Sequence, residues 1–243
     1  MRKTAGRAGN LPARAAVDRP PTVRTPTMAD GLPELPPRAF AKADPSPDAD
    51  FYAEPRFVTH IDDGAIAAVT RLYRELFPPG GAVLDLMSSW VSHLPDGVEY
   101  AEVIGHGMNA EELAANPRLS RRFVQDLNRD PALPLADASV DAAAICVSIQ
   151  YLQRPVEVLR EVARVLRPGG AVAITFSNRC FPTKAVAIWQ ALDGPDQCGL
   201  VSLYLQRAGF PTAEARELAP PGRWGGDPLW AVVGRTAGER RAE

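Results

Sequence analysis

Short apolar runs alternate with amphipathic segments along most of this chain, and that alternation leaves few folds open. The most telling run is Ala142-Ala143-Ala144-Ile145-Cys146-Val147-Ser148. A strand with one wet face alternates apolar and polar residues, whereas one buried on both faces reads as nearly continuous apolar sequence. Ala82-Val83-Leu84-Asp85-Leu86 is a second such run, with one acid inside it. Further strands are expected at residues 102–105, at Phe123 and Val124, at 171–176, and as two closing strands at 213–218 and 229–233.

Helical spacing fills the gaps. Ile66, Val69, Leu72, Tyr73 and Leu76 line one face of a helix over residues 63–77, capped by Asp62 or Asp63 and stopped by Pro78-Pro79-Gly80-Gly81. Asn109 and Glu112 have capping-box spacing, and Pro117 closes that helix. Pro155 opens another helix, with Val156, Leu159, Ala163 and Leu166 on its dry face and Pro168-Gly169-Gly170 as its stop. A last helix covers residues 196–208, ended by Gly209. The expected fold is α/β: a doubly wound, mostly parallel, seven-stranded Rossmann-like sheet with helices on both faces.

Composition narrows the setting. The 243 residues suit one sizeable domain. A net charge of −2 gives no general attraction to nucleic acid or an anionic membrane, and no apolar run approaches a bilayer span. Cys146, Cys180 and Cys198 form no CxxC pair, so neither a disulfide framework nor a metal site is expected, and the setting reads as cytoplasmic. Residues 1–47 are rich in Pro, Ala and Arg and read as a disordered tail before a domain over 48–236, with 237–243 as a second tail. The basic, acid-poor leader is compatible with a targeting segment but lacks the apolar stretch of a secretory signal; the plainer readings are a solvated tail, or Met28 as the true start.

In an open parallel sheet, ligands bind beyond the carboxyl ends of the strands, near the switch in strand order. That selects residues 85–91, 105–109, 125–128, 148–152 and 177–179.

Within those bounds the chain resembles a known family. Asp126-Leu127, then Leu135-Ala136-Asp137-Ala138-Ser139-Val140-Asp141, then Glu161-Val162-Ala163-Arg164-Val165-Leu166-Arg167-Pro168-Gly169-Gly170 is similar to the run D-x-x-x-LPF-x-D-x-SFD … E-x-x-RVL-x-PGG of class I S-adenosylmethionine-dependent methyltransferases. The likeness is good over residues 57–170 and loose beyond. It implies S-adenosylmethionine as cofactor, with Asp126 accepting the adenine amino group and Leu127 covering the ring.

The front half departs from that pattern. Val83-Leu84-Asp85-Leu86 is kept, but Met87, Ser89 and Val91 stand where the family's V-L-D-x-G-x-G-x-G carries glycines. The resemblance implies that Asp85 orients the cofactor's ammonium group. Met87, Ser88 and Ser89 would offer backbone groups, and Trp90 would pack on the ligand. Gly107 falls where the family places a ribose-binding acid, leaving Asn109 or the main chain near Gly107 and Met108 for the ribose, with Asn109 equally readable as a helix cap. His106 reads as a switchable donor or as a structural residue.

The implied reaction is methyl transfer to a small-molecule acceptor. His60, Gln150, Tyr151 and Asn178 are the substrate-pocket candidates, with Tyr151 equally readable as a packing aromatic. Arg179 or Lys184 can grip an acidic or polar acceptor, and no residue is singled out as a base. Two other classes remain: a catalytically silent relative that binds a ligand or partner, and an NAD(P)-dependent oxidoreductase. The last expects a glycine-rich first turn, an acid about 20 residues further on, and a Tyr-x-x-x-Lys pair, none of which the sequence carries.

Overall fold

The computed structural model describes residues 32–36, 38–220 and 226–238. Seven strands form one sheet: β1 (Ala82–Leu86), β2 (Glu102–Gly107), β3 (Arg121–Val124), β4 (Val140–Cys146), β5 (Leu166–Ser177), β6 (Thr212–Ala219) and β7 (Leu229–Arg235). Their order is β3-β2-β1-β4-β5-β7-β6. The first five are parallel, while β7 runs antiparallel to both β5 and β6. The sheet is therefore mostly parallel with an antiparallel hairpin at one edge, and strand order reverses between β1 and β4.

Among the described residues six α-helices accompany it: α1 (Asp48–Phe51), α2 (Asp63–Leu76), α3 (Ala110–Ala115), α4 (Pro155–Val165), α5 (Ala187–Gln190) and α6 (Gly194–Ala208). The pleat sorts strand residues between two cores. Leu84, Ile145, Ile174 and Val232 point toward α4 and α6. Val83, Ala142, Ala144, Ala173 and Ala231 point toward α2, whose Val69, Leu72, Tyr73 and Leu76 fill the space above those small residues. Each large apolar side chain so buried contributes about 1.5–3 kcal/mol.

Helix signals translate closely. Asp62 caps α2, its carboxylate accepting from the Ala65 N–H at 2.8 Å. Asp193 caps α6, with Pro195 in its first turn, so this helix starts two residues before the expected Asp196. Gly209 ends α6 in the left-handed region at φ 98°. Leu166, expected on the face of α4, instead opens β5 by pairing with Val140, and Pro168-Gly169-Gly170 lies within that strand.

Two expectations need correction, and one crossover departs from the doubly wound pattern. The capping box at α3 is half formed: Asn109 Oδ1 caps Glu111 and Glu112, but the Glu112 carboxylate turns away, to the Arg56 N–H and the Ser89 hydroxyl. The connection from β1 to β2, residues 87–101, contains no helix. Pro95 and Gly97, the latter at φ 73°, interrupt it, and Leu94 covers the sheet there instead. Finally, the expected tail to residue 47 is too long. Phe40 is buried with its ring 6.1 Å from Tyr204, and the carbonyls of Ala39 and Ala41 accept from Ile188 and Ala187. Lys184, fully buried, holds the following strap through Asp44 at 3.0 Å and the Ser46 carbonyl at 2.8 Å. Composition reads as disorder because Pro is frequent there, yet Phe40 supplies an apolar anchor. Residues 1–31 and 239–243 of the two expected tails lie outside the described residues.

Candidate functional site

A cavity of about 570 Å³ opens where β1, β2 and β4 end, at the reversal of strand order. Of the residues singled out from sequence, Asp85, Met87, Ser88 and Ser89 line it from the first turn. Met108 and Asn109 line it from the end of β2, Asp126 and Leu127 from beyond β3, and His60 and Tyr151 from the far side.

Asp85 dominates the electrostatics. It is 3% exposed and receives the Ser88 hydroxyl at 2.6 Å, yet no cation pairs with it among the described residues. Burial pushes its carboxyl up to about 6, only partly opposed by hydrogen bonds from Ser88 and Ser92. A buried carboxylate without a counter-ion is costly, and this one faces a cavity. No helix follows β1, so the first turn presents no positive helix N-terminus to a pyrophosphate.

At the rim beyond β3, the Asp126 carboxylate accepts the Asn128 N–H at 2.9 Å, and Leu127 is buried beside it. Asn128 crosses to the other wall, donating to the Tyr151 carbonyl at 3.0 Å and to Asp48 at 2.9 Å. Ser148, just beyond β4, lines the cavity with a buried hydroxyl that has no hydrogen-bond partner among the described residues. The Tyr151 hydroxyl accepts the Phe181 N–H at 2.9 Å and its ring stacks on Phe181; burial raises its pKa to about 12.

Other sequence candidates lie elsewhere or are already committed. Trp90 does not line the cavity: its indole N–H donates to the Val58 carbonyl at 3.0 Å and its ring packs edge-on to Phe57, fastening that segment down. Gln150 is fully buried, its amide donating to the Val147 carbonyl. Asn178 is exposed beyond β5 and accepts from the Ser177 hydroxyl at 3.2 Å. Asn109 borders the cavity, but Oδ1 accepts two N–H groups and Nδ2 donates to the Tyr52 and Ala53 carbonyls, so its polar valences are full. No acid can stand at the end of β2, because a Cβ at Gly107 would lie 2.6 Å from the Ser88 carbonyl oxygen.

Sequence reasoning missed the roof. Tyr52 and Arg56 line the cavity from the strap, and the Arg56 guanidinium sits 4.6 Å over the Phe51 ring. The adjacent pair Phe51-Tyr52, closing a Pro-rich stretch, was the available signal. Arg179 reaches the cavity with Nε donating to Asp227 at 2.7 Å, and its remaining guanidinium nitrogens make no bond among the described residues. Lys184, by contrast, is consumed in holding the strap. Backbone strain collects here too: Met87 (φ 58°), His93 (φ 51°) and Val147 (φ 44°) all line the cavity. A left-handed β-branched residue is a true outlier, and such strain concentrates at functional sites.

The fold is a Rossmann-like sheet whose switch point holds a cavity with a buried carboxylate, Asp85, in its wall. Residues 89–174 match the Methyltransferase domain family, beginning inside the altered first turn. That match covers about a third of the chain, and solved S-adenosylmethionine-dependent methyltransferases share its fold.

Similar solved structures include the [4+2]-cyclase SpnF, at TM-score 0.56 and 16% identity over 79% of this chain and 92% of that one. An S-adenosylmethionine-dependent methyltransferase from Aquifex aeolicus gives 0.53 and 17%, covering 78% and 97%. Haemonchus contortus phosphoethanolamine N-methyltransferase 2, solved with S-adenosylmethionine, gives 0.52 and 14%, covering 70% and 52%. At these identities the likeness is one of fold. The malonyl-[acyl-carrier protein] O-methyltransferase of Methylococcus capsulatus is 38% identical over 63 residues, 26% of this chain and 23% of its own length. The match therefore spans about a quarter of that curated relative. Among the described residues no helix is long and apolar enough to cross a membrane, and no cluster could hold a metal ion.

Proposed function

We propose that this chain is an S-adenosylmethionine-dependent methyltransferase acting on a small-molecule acceptor. The supporting observation is Asp85: a buried carboxylate, unpaired and facing the cavity, is suited to a cationic ligand. S-adenosylmethionine, when bound, supplies a methyl group activated by its sulfonium. In this reading Asp85 holds the ammonium group, assisted by the Ser88 hydroxyl. Asp126 accepts the adenine amino group and Leu127 covers the ring, while the main chain at Met108 takes over from the missing ribose acid.

On the acceptor side, the Ser148 hydroxyl and the Phe181 ring position the substrate and exclude water, which is most of what methyl transfer requires of a protein. The free Arg179 nitrogens suit an acceptor with an acidic group, as does the acyl-carrier substrate in the name of the Methylococcus capsulatus relative. At His60, desolvation outweighs the neighbouring Glu112 carboxylate and lowers the pKa, so the ring is neutral at pH 7 and can take a proton from an acceptor hydroxyl. We place the protein in the cytoplasm on its three free cysteines.

The test is thermal unfolding of the full chain with S-adenosylmethionine, S-adenosylhomocysteine and NAD. The first two are expected to raise the Tm and NAD to leave it unchanged. No shift with either at millimolar concentration would contradict the assignment.

A further inference from the structure

One residue spans both flanks of the cavity. His106, in β2, is 1% exposed and its ring packs 5.1 Å from Phe123. Its Nδ1 accepts the Met87 N–H at 3.1 Å. A backbone N–H can only donate, so Nδ1 carries no proton, and Nε2–H donates to the Gln125 carbonyl at 2.9 Å. The His106 carbonyl accepts the Ser88 N–H at 2.6 Å, and the Gly107 carbonyl accepts the Gln125 N–H at 3.3 Å. The first turn is thereby tied to the segment that carries Asp126 and Leu127. Burial pulls the ring's pKa down to about 4, so it is neutral at ordinary pH.

The turn so held is strained. Met87 sits at φ 58°, a conformation that disfavours a side chain and that glycine adopts without strain. The same turn brings the Ser88 carbonyl against Gly107. The absent glycines of the first turn and the absent acid after β2 are thus a single construction. The close approach has a glycine on β2 to receive it, and the Met87 side chain packs on the core as an anchor.

We propose that His106 is a positioning residue for the cofactor: its Nε2-protonated ring holds the left-handed turn at Met87 in line with the Gln125–Leu127 edge, replacing the conformational freedom of glycine. This rests on the reading that the chain binds S-adenosylmethionine. The brace sets the distance between the group that takes the ammonium and the edge that takes the adenine, so its loss lowers affinity even in a folded protein.

The experiment is calorimetric titration of S-adenosylmethionine and S-adenosylhomocysteine into the full chain and its His106→Leu, His106→Asn and His106→Leu/Met87→Gly variants, with apo Tm measured alongside. His106→Leu is expected to weaken both ligands at least tenfold. His106→Asn, which keeps an acceptor near Met87 but cannot reach Gln125, falls between. Adding Met87→Gly to His106→Leu recovers affinity, because glycine holds the turn unaided. Wild-type affinity in a folded His106→Leu or His106→Asn protein overturns the proposal, as does a double variant no better than His106→Leu. Should His106→Leu not fold, His106→Asn against wild type decides. ¹⁵N NMR of the wild-type ring gives a direct reading: a proton on Nε2 supports the brace and one on Nδ1 overturns it. Wild type that binds neither ligand overturns the functional reading itself, a result distinct from wild type and variants binding alike.

Discussion

The two halves of the cavity wall are built on different principles. Along the back, Asp126 and Leu127 follow an ordinary strand end, and Arg164 ties α4 to the loop before β4 through the Leu133 and Leu135 carbonyls and Glu161. No residue at 125–128 has a positive φ, and the sequence keeps the family pattern. At the front, the first turn carries a left-handed Met87, a buried unpaired Asp85 and a His106 crossbar, and the crossover to β2 has no helix. The back wall is stabilised by many redundant contacts. The front stores strain and buried charge that only a ligand relieves. Stability and binding should therefore move in opposite directions at Asp85 and be nearly uncoupled at Asp126.

Asp85→Asn should show the largest effect. Loss of a charge-assisted contact is worth about 1.5–3 kcal/mol, so S-adenosylmethionine affinity should fall about a hundredfold by calorimetry. The apo protein should at the same time become more stable at pH 8 by denaturant titration, because an ionised buried carboxylate is gone. A fall in both would break the distinction. Gly107→Asp comes next. It puts back the family's acid, yet the Ser88 carbonyl leaves no room for a Cβ. Overpacking of this kind costs about 1–3 kcal/mol, and binding should weaken rather than improve.

Asp126→Asn should have a smaller effect, about tenfold on affinity with little change in Tm, since its carboxylate makes one local bond to Asn128. Trp90→Phe should be the mildest. The indole itself does not line the cavity and only fastens Val58 through its carbonyl, so Tm should drop slightly while affinity stays within about twofold.

The same contrast governs what could be read from the sequence. The apolar run at 142–148 and the Pro155 and Gly209 signals placed β4, α4 and α6 because those elements obey local periodicity and capping. Asp85 was marked as a site residue by its place at the end of an apolar run. Trp90 was assigned to the ligand because a large aromatic beside a binding turn looks available, and only tertiary packing reveals that Val58 and Phe57 engage it. Asn109 was read as either cap or ligand, and full use of its four polar valences decides for the cap. The role of His106 depends on which groups lie at 3 Å from each ring nitrogen, and no spacing rule encodes that. The strap of residues 38–48 was obscured by proline content, and its anchor, Lys184, lies some 140 residues away in the chain.

The central claim is that Asp85 awaits a cation. Burial raises its carboxyl from the usual 3.8 to about 6, so the fold favours the protonated acid. Stability from this group is fully present below pH 3.8 and lost as pH rises through about 6, a total of about 3 kcal/mol. A bound ammonium reverses the preference and releases the proton. Titration of S-adenosylmethionine into the full chain at pH 5 and pH 7.5, in buffers of differing ionisation enthalpy, tests this directly. The expected result is about tenfold tighter binding at pH 7.5, with close to one proton released at pH 5. Binding that is independent of pH and releases no proton would contradict the account.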